Sequence, residues 1–344
     1  MKGSEVMMKS VLERIESIQK EIDYSGTAYV KSGEDILIKS YGYSNRGEKI
    51  MNEKDTRYGI ASGSKLFTSI AIGQLVDKKI ISFDMKLIDC LDCQLPFFDK
   101  NVTIHHLLTH TAGIPDYFDE AIMDDFEDLW IHTPMYRVRD LQDFLPLFQG
   151  RKMVSAPGEQ FHYNNAGYII LGLIIEQASG LKFSNYIEQF ILKKAGMLDS
   201  GYFELDALPE KTAMGYIQNP DGSYKTNIYS IPAKGGADGG IFVTAEDMAS
   251  LWASLNNGEL MSCETTKRLL KHQVHVEKDI YYGYAGYMQV SNDYVEKHIL
   301  MGYDPGVNFR SVYYRGTGLT IIVLSNKNDG AYEILRGIEE TIVD

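Results

Sequence analysis

Strand-forming sequence lies at both ends of this chain and helix-forming sequence between them, and that order restricts the fold more than any other property. Thr27–Lys31 and Ile36–Tyr41 alternate in polarity around Ser32-Gly33-Glu34-Asp35, which predicts an early hairpin. Tyr281–Val290 regains strand character, and Phe309–Tyr314 and Leu319–Ser325 flank Arg315-Gly316-Thr317-Gly318, a second hairpin signal. Between these regions, Leu66, Phe67, Ile70, Ala71 and Leu75 recur at helical spacing, and the apolar run Gly167–Ala178 ends at Gly180. Met1–Asp23 and Tyr332–Val343 read as amphipathic helices at the two ends. The pattern predicts an α+β domain: one antiparallel sheet built from both chain ends, flanked by helices, with a mainly helical lobe inserted. Residues 1–61 and 236–344 would form the sheet-containing lobe and residues 62–235 the helical lobe, with a cleft between them.

At 344 residues the chain exceeds the size at which one core usually stops growing, which suits a two-lobed domain. Its net charge of −13 argues against nucleic acid or an anionic membrane as a partner. Cys90 and Cys93 form a single Cys-x-x-Cys without the second ligand pair a zinc site needs, and Cys263 stands alone. No cofactor or metal is expected. No stretch is long and apolar enough to span a bilayer, and no signal peptide is visible. The chain as given is therefore expected in the cytoplasm, or outside it if a targeting segment was removed. Asp116–Asp128 is rich in acid and reads as a solvated face or flexible lid. The oligomeric state is left open.

Ser62-Gly63-Ser64-Lys65 stands where the pattern turns helical, and Tyr163-Asn164-Asn165 follows much later. A serine hydroxyl is a poor nucleophile until a base takes its proton. Residues three apart share a helix face, so Lys65 could reach Ser62, and burial would lower its pKa toward the neutral, basic form. Tyr163 could pass the proton to a leaving group, and Asn165 could orient a substrate carbonyl through its amide. Ser17-Ile18-Gln19-Lys20, Tyr43-Ser44-Asn45 and Lys31-Ser32-Gly33 repeat parts of these motifs, but none follows a strand-to-helix transition.

Around Ser62 and Tyr163 stands an ordered set: Leu107-Leu108-Thr109-His110-Thr111-Ala112-Gly113, Pro157-Gly158-Glu159, Gly239-Gly240 and Gly302-Tyr303-Asp304-Pro305-Gly306. In this order the motifs resemble the serine β-lactamase and penicillin-binding protein superfamily, in its class C β-lactamase-like branch, which also holds D-specific peptidases and esterases. The resemblance covers roughly residues 25 to 330. It implies the β-lactamase/transpeptidase-like fold with the site between the lobes. It also implies a Ser62 acyl-enzyme, proton transfer by Lys65 and Tyr163, and substrate orientation by Asn165. The Gly302-Tyr303 strand would supply the second oxyanion donor at Tyr303. The expected substrate is a small-molecule or peptide acyl donor: an amide, a β-lactam or an ester.

One position departs from the branch. Its late strand carries Lys or His two residues before the glycine, and here that residue is Leu300. That cation helps bind a substrate carboxylate, so the departure suits an ester or an uncharged acyl group better. His298, expected on the same strand face, and Arg310 are the nearby cations that could replace it. Two alternatives follow: an esterase or D-aminopeptidase on the same scaffold, and a non-catalytic sensor or binding module. A Ser-His-Asp hydrolase is disfavoured because Gly-x-Ser-x-Gly is absent, and His110 reads as a structural hydrogen-bonding residue. Tyr281, Tyr282, Tyr284 and Tyr287 read as sheet-packing residues, and Gly235–Gly240 as a close backbone approach.

Overall fold

The computed structural model describes residues 2–284 and 286–342. Its centre is an antiparallel sheet of eight strands. In chain order these are β1 (Gly26–Ser32), β2 (Asp35–Tyr41), β3 (His272–Glu277), β4 (Ile280–Gly283), β5 (Gly286–Ser291), β6 (Tyr294–Asp304), β7 (Val307–Tyr314) and β8 (Thr320–Ser325). Their order across the sheet is β2-β1-β8-β7-β6-β5-β4-β3. β1 pairs with β8 in register from Gly26 opposite Ser325 to Lys31 opposite Thr320, so the two chain ends close the sheet as the sequence pattern predicts.

Both faces of the sheet are covered, which explains why β8 is buried along its whole length. Helices α1 (Lys2–Ile22) and α5 (Ala331–Ile342) form one layer. Val11, Ile15 and Ile18 of α1 and Ile334 and Ile338 of α5 pack there with Val30, Ile321 and Val323. Met1 and Val343, expected in these helices, lie outside the described residues. The alternate residues Ile322 and Leu324 join the main core on the opposite face, together with Phe309 and Leu300. Each fully buried aliphatic side chain of this kind contributes about 1.5–3 kcal/mol.

That second face carries the helical layer: α2 (Lys65–Asp77), α3 (Asn165–Ser179) and α4 (Ala245–Asn256). Residues 65–75 of α2 and 165–175 of α3 are buried without a break, so both helices run through the core rather than over its surface. α3 stops at Gly180, whose φ of 72° ends the helix in the left-handed region, as the sequence predicts. The stretch from 116 to 164 contains less helix than the sequence suggests, because Phe126–Trp130, Met135–Arg137 and Leu141–Leu147 form only short 3₁₀ turns. Pro146 lies inside the last of these and removes a helix donor.

Candidate active site

The site begins where the backbone turns from strand to helix. Tyr58–Gly59 pairs with Phe242–Val243, Ile60 donates to the Ile241 carbonyl at 3.1 Å, and Ala61 adopts a φ of 45° before Ser62. A positive φ at alanine is strained, and here the surrounding pairing imposes it. Ser62 sits in a short 3₁₀ turn that leads directly into α2. The hydroxyl of Ser64 fixes the turn by donating to the Ala61 carbonyl at 2.7 Å and accepting the Ile241 N–H at 3.1 Å.

Two glycines let the sheet close on this turn. A Cβ on Gly63 would stand 2.4 Å from Phe309 Cε1 of β7, and one on Gly302 would stand 2.0 Å from the Ile60 carbonyl oxygen. β6 therefore lies directly against the Ser62 turn. Among the described residues, the pairing of β5 with β6 ends at Tyr287 opposite Ile299.

Lys65 points back under Ser62. Its Nζ is 3.0 Å from Ser62 Oγ, 2.8 Å from Asn165 Oδ1 and 2.9 Å from the Asp238 carbonyl. Burial lowers the lysine pKa, while Asp238, Glu120 and Asp116 act in the opposite direction. The Lys65 Nζ also lies 4.9 Å from the Tyr163 ring centroid. Burial holds the Tyr163 phenol well above its ordinary value, and Glu120 and Tyr287 push the same way, whereas the Ser62 hydroxyl opposes the shift. Ser62, Tyr163 and Asn165, scattered in sequence, thus gather around the Lys65 amine.

The support behind these groups was only partly visible in the sequence. His110 is buried. Its Nδ1 accepts the Asn164 N–H at 3.0 Å, which places the ring proton on Nε2, 3.0 Å from the Tyr282 hydroxyl. It orients the Tyr163-Asn164-Asn165 segment and stays neutral, since burial lowers its pKa well below the usual value. This is the structural role its motif suggested. His105 likewise hydrogen-bonds the Tyr284 hydroxyl, and no group of metal-ligating side chains gathers among the described residues.

Asp116 is the exception in the acidic segment, whose Glu120, Asp124, Asp125 and Asp128 are exposed as a solvated face would be. It is buried, and its carboxylate accepts the backbone N–H groups of Tyr117, Asn165 and Ala166 at 2.7–2.9 Å. It therefore caps α3 and fixes Asn165. Burial raises its pKa to about 7 against the opposing effect of those N–H donors. Its neighbours in an acid-rich run concealed it, and its place directly after Gly113-Ile114-Pro115 was the available signal. Asp238 was missed for a similar reason, within Gly235–Gly240. That loop is a close backbone approach, since a Cβ added to Gly235 would stand only 2.6 Å from Gly240 Cα. Asp238 is locked by a hydrogen bond from the Tyr117 hydroxyl.

The predicted cation site is not formed. His298 is buried away from the cleft, its ring 6.0 Å from that of Trp252, and burial lowers its pKa to about 4. It does share the strand face of Leu300, but that face packs into the core, where Leu300 is also buried. Arg310 stacks over Tyr332 of α5 on the opposite layer. Gly302, by contrast, sits against the Ser62 turn, and Tyr303 lines the cleft together with Ser62.

The Beta-lactamase family model matches residues 15–339. The chain belongs to the beta-lactamase family. It is 30% identical over 347 residues to penicillin-binding protein 4* of Bacillus subtilis, covering 95% of this chain and 74% of that one. A penicillin binding protein from Bacillus halodurans superposes with a TM-score of 0.92 at 52% identity, over 95% of this chain and 99% of that one. A D-amino acid amidase from Ochrobactrum anthropi shares the fold, with a TM-score of 0.79 at 19% identity over 97% of this chain and 99% of that one. Within this beta-lactamase family the chain is a serine hydrolase, and its sheet, helical layer and cleft match the fold of its relatives. No helix among the described residues is by itself long and apolar enough to cross a membrane.

Proposed function

We propose that this hydrolase works through an acyl-enzyme on Ser62, with Lys65 as the base and Tyr163 as the proton donor to the leaving group. The observation that carries this reading is the 3.0 Å approach of Lys65 Nζ to Ser62 Oγ inside a buried pocket. A neutral amine there donates to Asn165 Oδ1 and the Asp238 carbonyl and accepts the serine proton through its lone pair. The serine oxygen bonds to the substrate carbonyl carbon. The bond to the leaving group then breaks, and the serine proton reaches the leaving group through Lys65 and Tyr163. Water hydrolyses the resulting ester by the reverse route. Tyr163, held protonated by burial, suits the donor role better than the base role.

The Ser62 and Tyr303 N–H groups are the oxyanion donors in this reading. Asp304 and Val307 close the Pro305-Gly306 turn of the β6–β7 hairpin. Hydrogen-bonded pairs alternate along an antiparallel ladder, so Tyr303 falls where its N–H points away from β7. With Leu300 buried and neither His298 nor Arg310 in the cleft, esters and amides without a neighbouring carboxylate fit best.

Exposure to p-nitrophenyl acetate and nitrocefin, with mass spectrometry of the protein, tests the assignment. Expected are a covalent acyl adduct that disappears in Ser62→Ala and faster turnover of the acetate than of nitrocefin. The names of the relatives favour a second outcome, a stable penicillin adduct on Ser62 without turnover. An adduct that persists in Ser62→Ala overturns the mechanism.

A further inference from the structure

Beyond Ser62 the cleft opens into a chamber. Phe126, Phe144, Phe203, Leu205, Ile231 and Phe242 form much of its wall. Phe144 and Phe242 are buried, whereas Phe126, Phe203, Leu205 and Ile231 keep partly exposed surface. Apolar side chains gathered around a cavity next to a nucleophile form a site for an apolar part of the substrate. The ionisable residues in the wall are Tyr58, Tyr117, Tyr303, Glu120, Asp238 and Asp304, with no lysine, arginine or histidine among them. An anionic group entering the chamber would meet no counter-charge.

The geometry also distinguishes the two halves of a substrate. Asn165 and Asp238 border the chamber, but Tyr163 does not. The Tyr163 ring packs between His110 at 4.3 Å and Tyr287 at 6.4 Å, on the side of Lys65. A leaving group protonated by Tyr163 departs on that side, so the group left in the chamber is the acyl group.

We propose that this chamber is the acyl-specificity pocket and that the enzyme selects substrates whose acyl group is large, apolar and uncharged. The proposal rests on the Ser62 acyl-enzyme reading and adds the substrate class to it. Burial of one methylene corresponds to about a three- to fourfold gain in affinity. In a p-nitrophenyl ester series from acetate to hexanoate, kcat/KM should therefore rise roughly a hundredfold. Adipate monoester, with a terminal carboxylate in place of the methyl, should lose most of that gain. Ile231→Trp, which fills the chamber from a half-buried position, should flatten the hexanoate-to-acetate ratio. Because the ratio is read within one preparation, partial misfolding cancels.

A second measurement reads the chamber without the chemistry. Calorimetric titration of Ser62→Ala with acetamide and hexanamide should show affinity rising with chain length. A flat kcat/KM series with Ser62-dependent acetate turnover, or amide affinity independent of length, overturns the acyl-pocket assignment. Chain-length-dependent binding without Ser62-dependent turnover upholds the pocket and overturns the acyl-enzyme reading instead.

Discussion

Asp116 shows how one side chain can serve structure and site together. Three backbone N–H groups converge on its carboxylate, and through them it sets the start of α3 and the position of Asn165. Burial nevertheless disfavours its charge and raises its pKa to about 7. The ordinary carboxylate value near 4 applies to the unfolded chain. Between those values the folded state binds more protons than the unfolded state, so this group's contribution to stability is full below pH 4 and is lost as pH rises through 7. Asp116→Asn removes the titration and keeps one acceptor oxygen. The wild-type urea midpoint should therefore fall more between pH 5 and pH 8 than that of the variant. The difference should be on the order of 1 kcal/mol for each pH unit crossed. Parallel pH profiles for the two proteins would show that Asp116 carries no such proton.

At the scale of elements, the decisive contact is β6 against the Ser62 turn. Gly302 allows it, since any Cβ there would occupy the space of the Ile60 carbonyl. Gly302→Ala should push the strand away and withdraw the Tyr303 N–H from the oxyanion. Loss of one such donor costs about 3–4 kcal/mol in the transition state, a 10²–10³-fold drop in kcat. Steady-state kinetics alongside far-UV circular dichroism check this, the expected result being a folded protein with depressed kcat. The elements themselves were legible because their signals are local. The Gly33-Glu34 and Arg315–Gly318 turns, the apolar repeat of α2 and the stop at Gly180 each depend on neighbouring residues. Ser62, Lys65, Tyr163 and Asn165 were legible as motifs because the proposed acyl transfer calls for those chemical types. The orientation of His298 was not. Period-two alternation put it on the face of Leu300, but only the packing of Trp252 shows that this face is core rather than cleft. Asp116 and Asp238 escaped because the groups that fix them, the Asn165 and Ala166 N–H groups for one and the Tyr117 hydroxyl for the other, lie far away in sequence.

For the whole molecule, the sheet separates two tasks. One face carries α2, α3, α4 and every group of the site. The other carries α1 and α5, which close the domain by covering the strands contributed by both chain ends. Since β1 must find β8 across nearly the full length of the chain, folding depends on contacts of long sequence separation, and such contacts slow it. The α1–α5 layer supplies apolar burial that fastens this pairing. Ile15 is fully buried there, between α5 and the sheet. Ile15→Ala should cost about 2–4 kcal/mol through lost burial and the cavity it leaves. The proposed catalytic groups lie on the far face, so kcat/KM for p-nitrophenyl acetate, normalised to folded protein, should stay at the wild-type value. Urea denaturation and kinetics on the same preparation separate the two effects. A proportional fall in kcat/KM would mean that repacking on the outer face passes through β7 to Phe309 and the Gly63 turn, and that the sheet couples its two layers rather than insulating them.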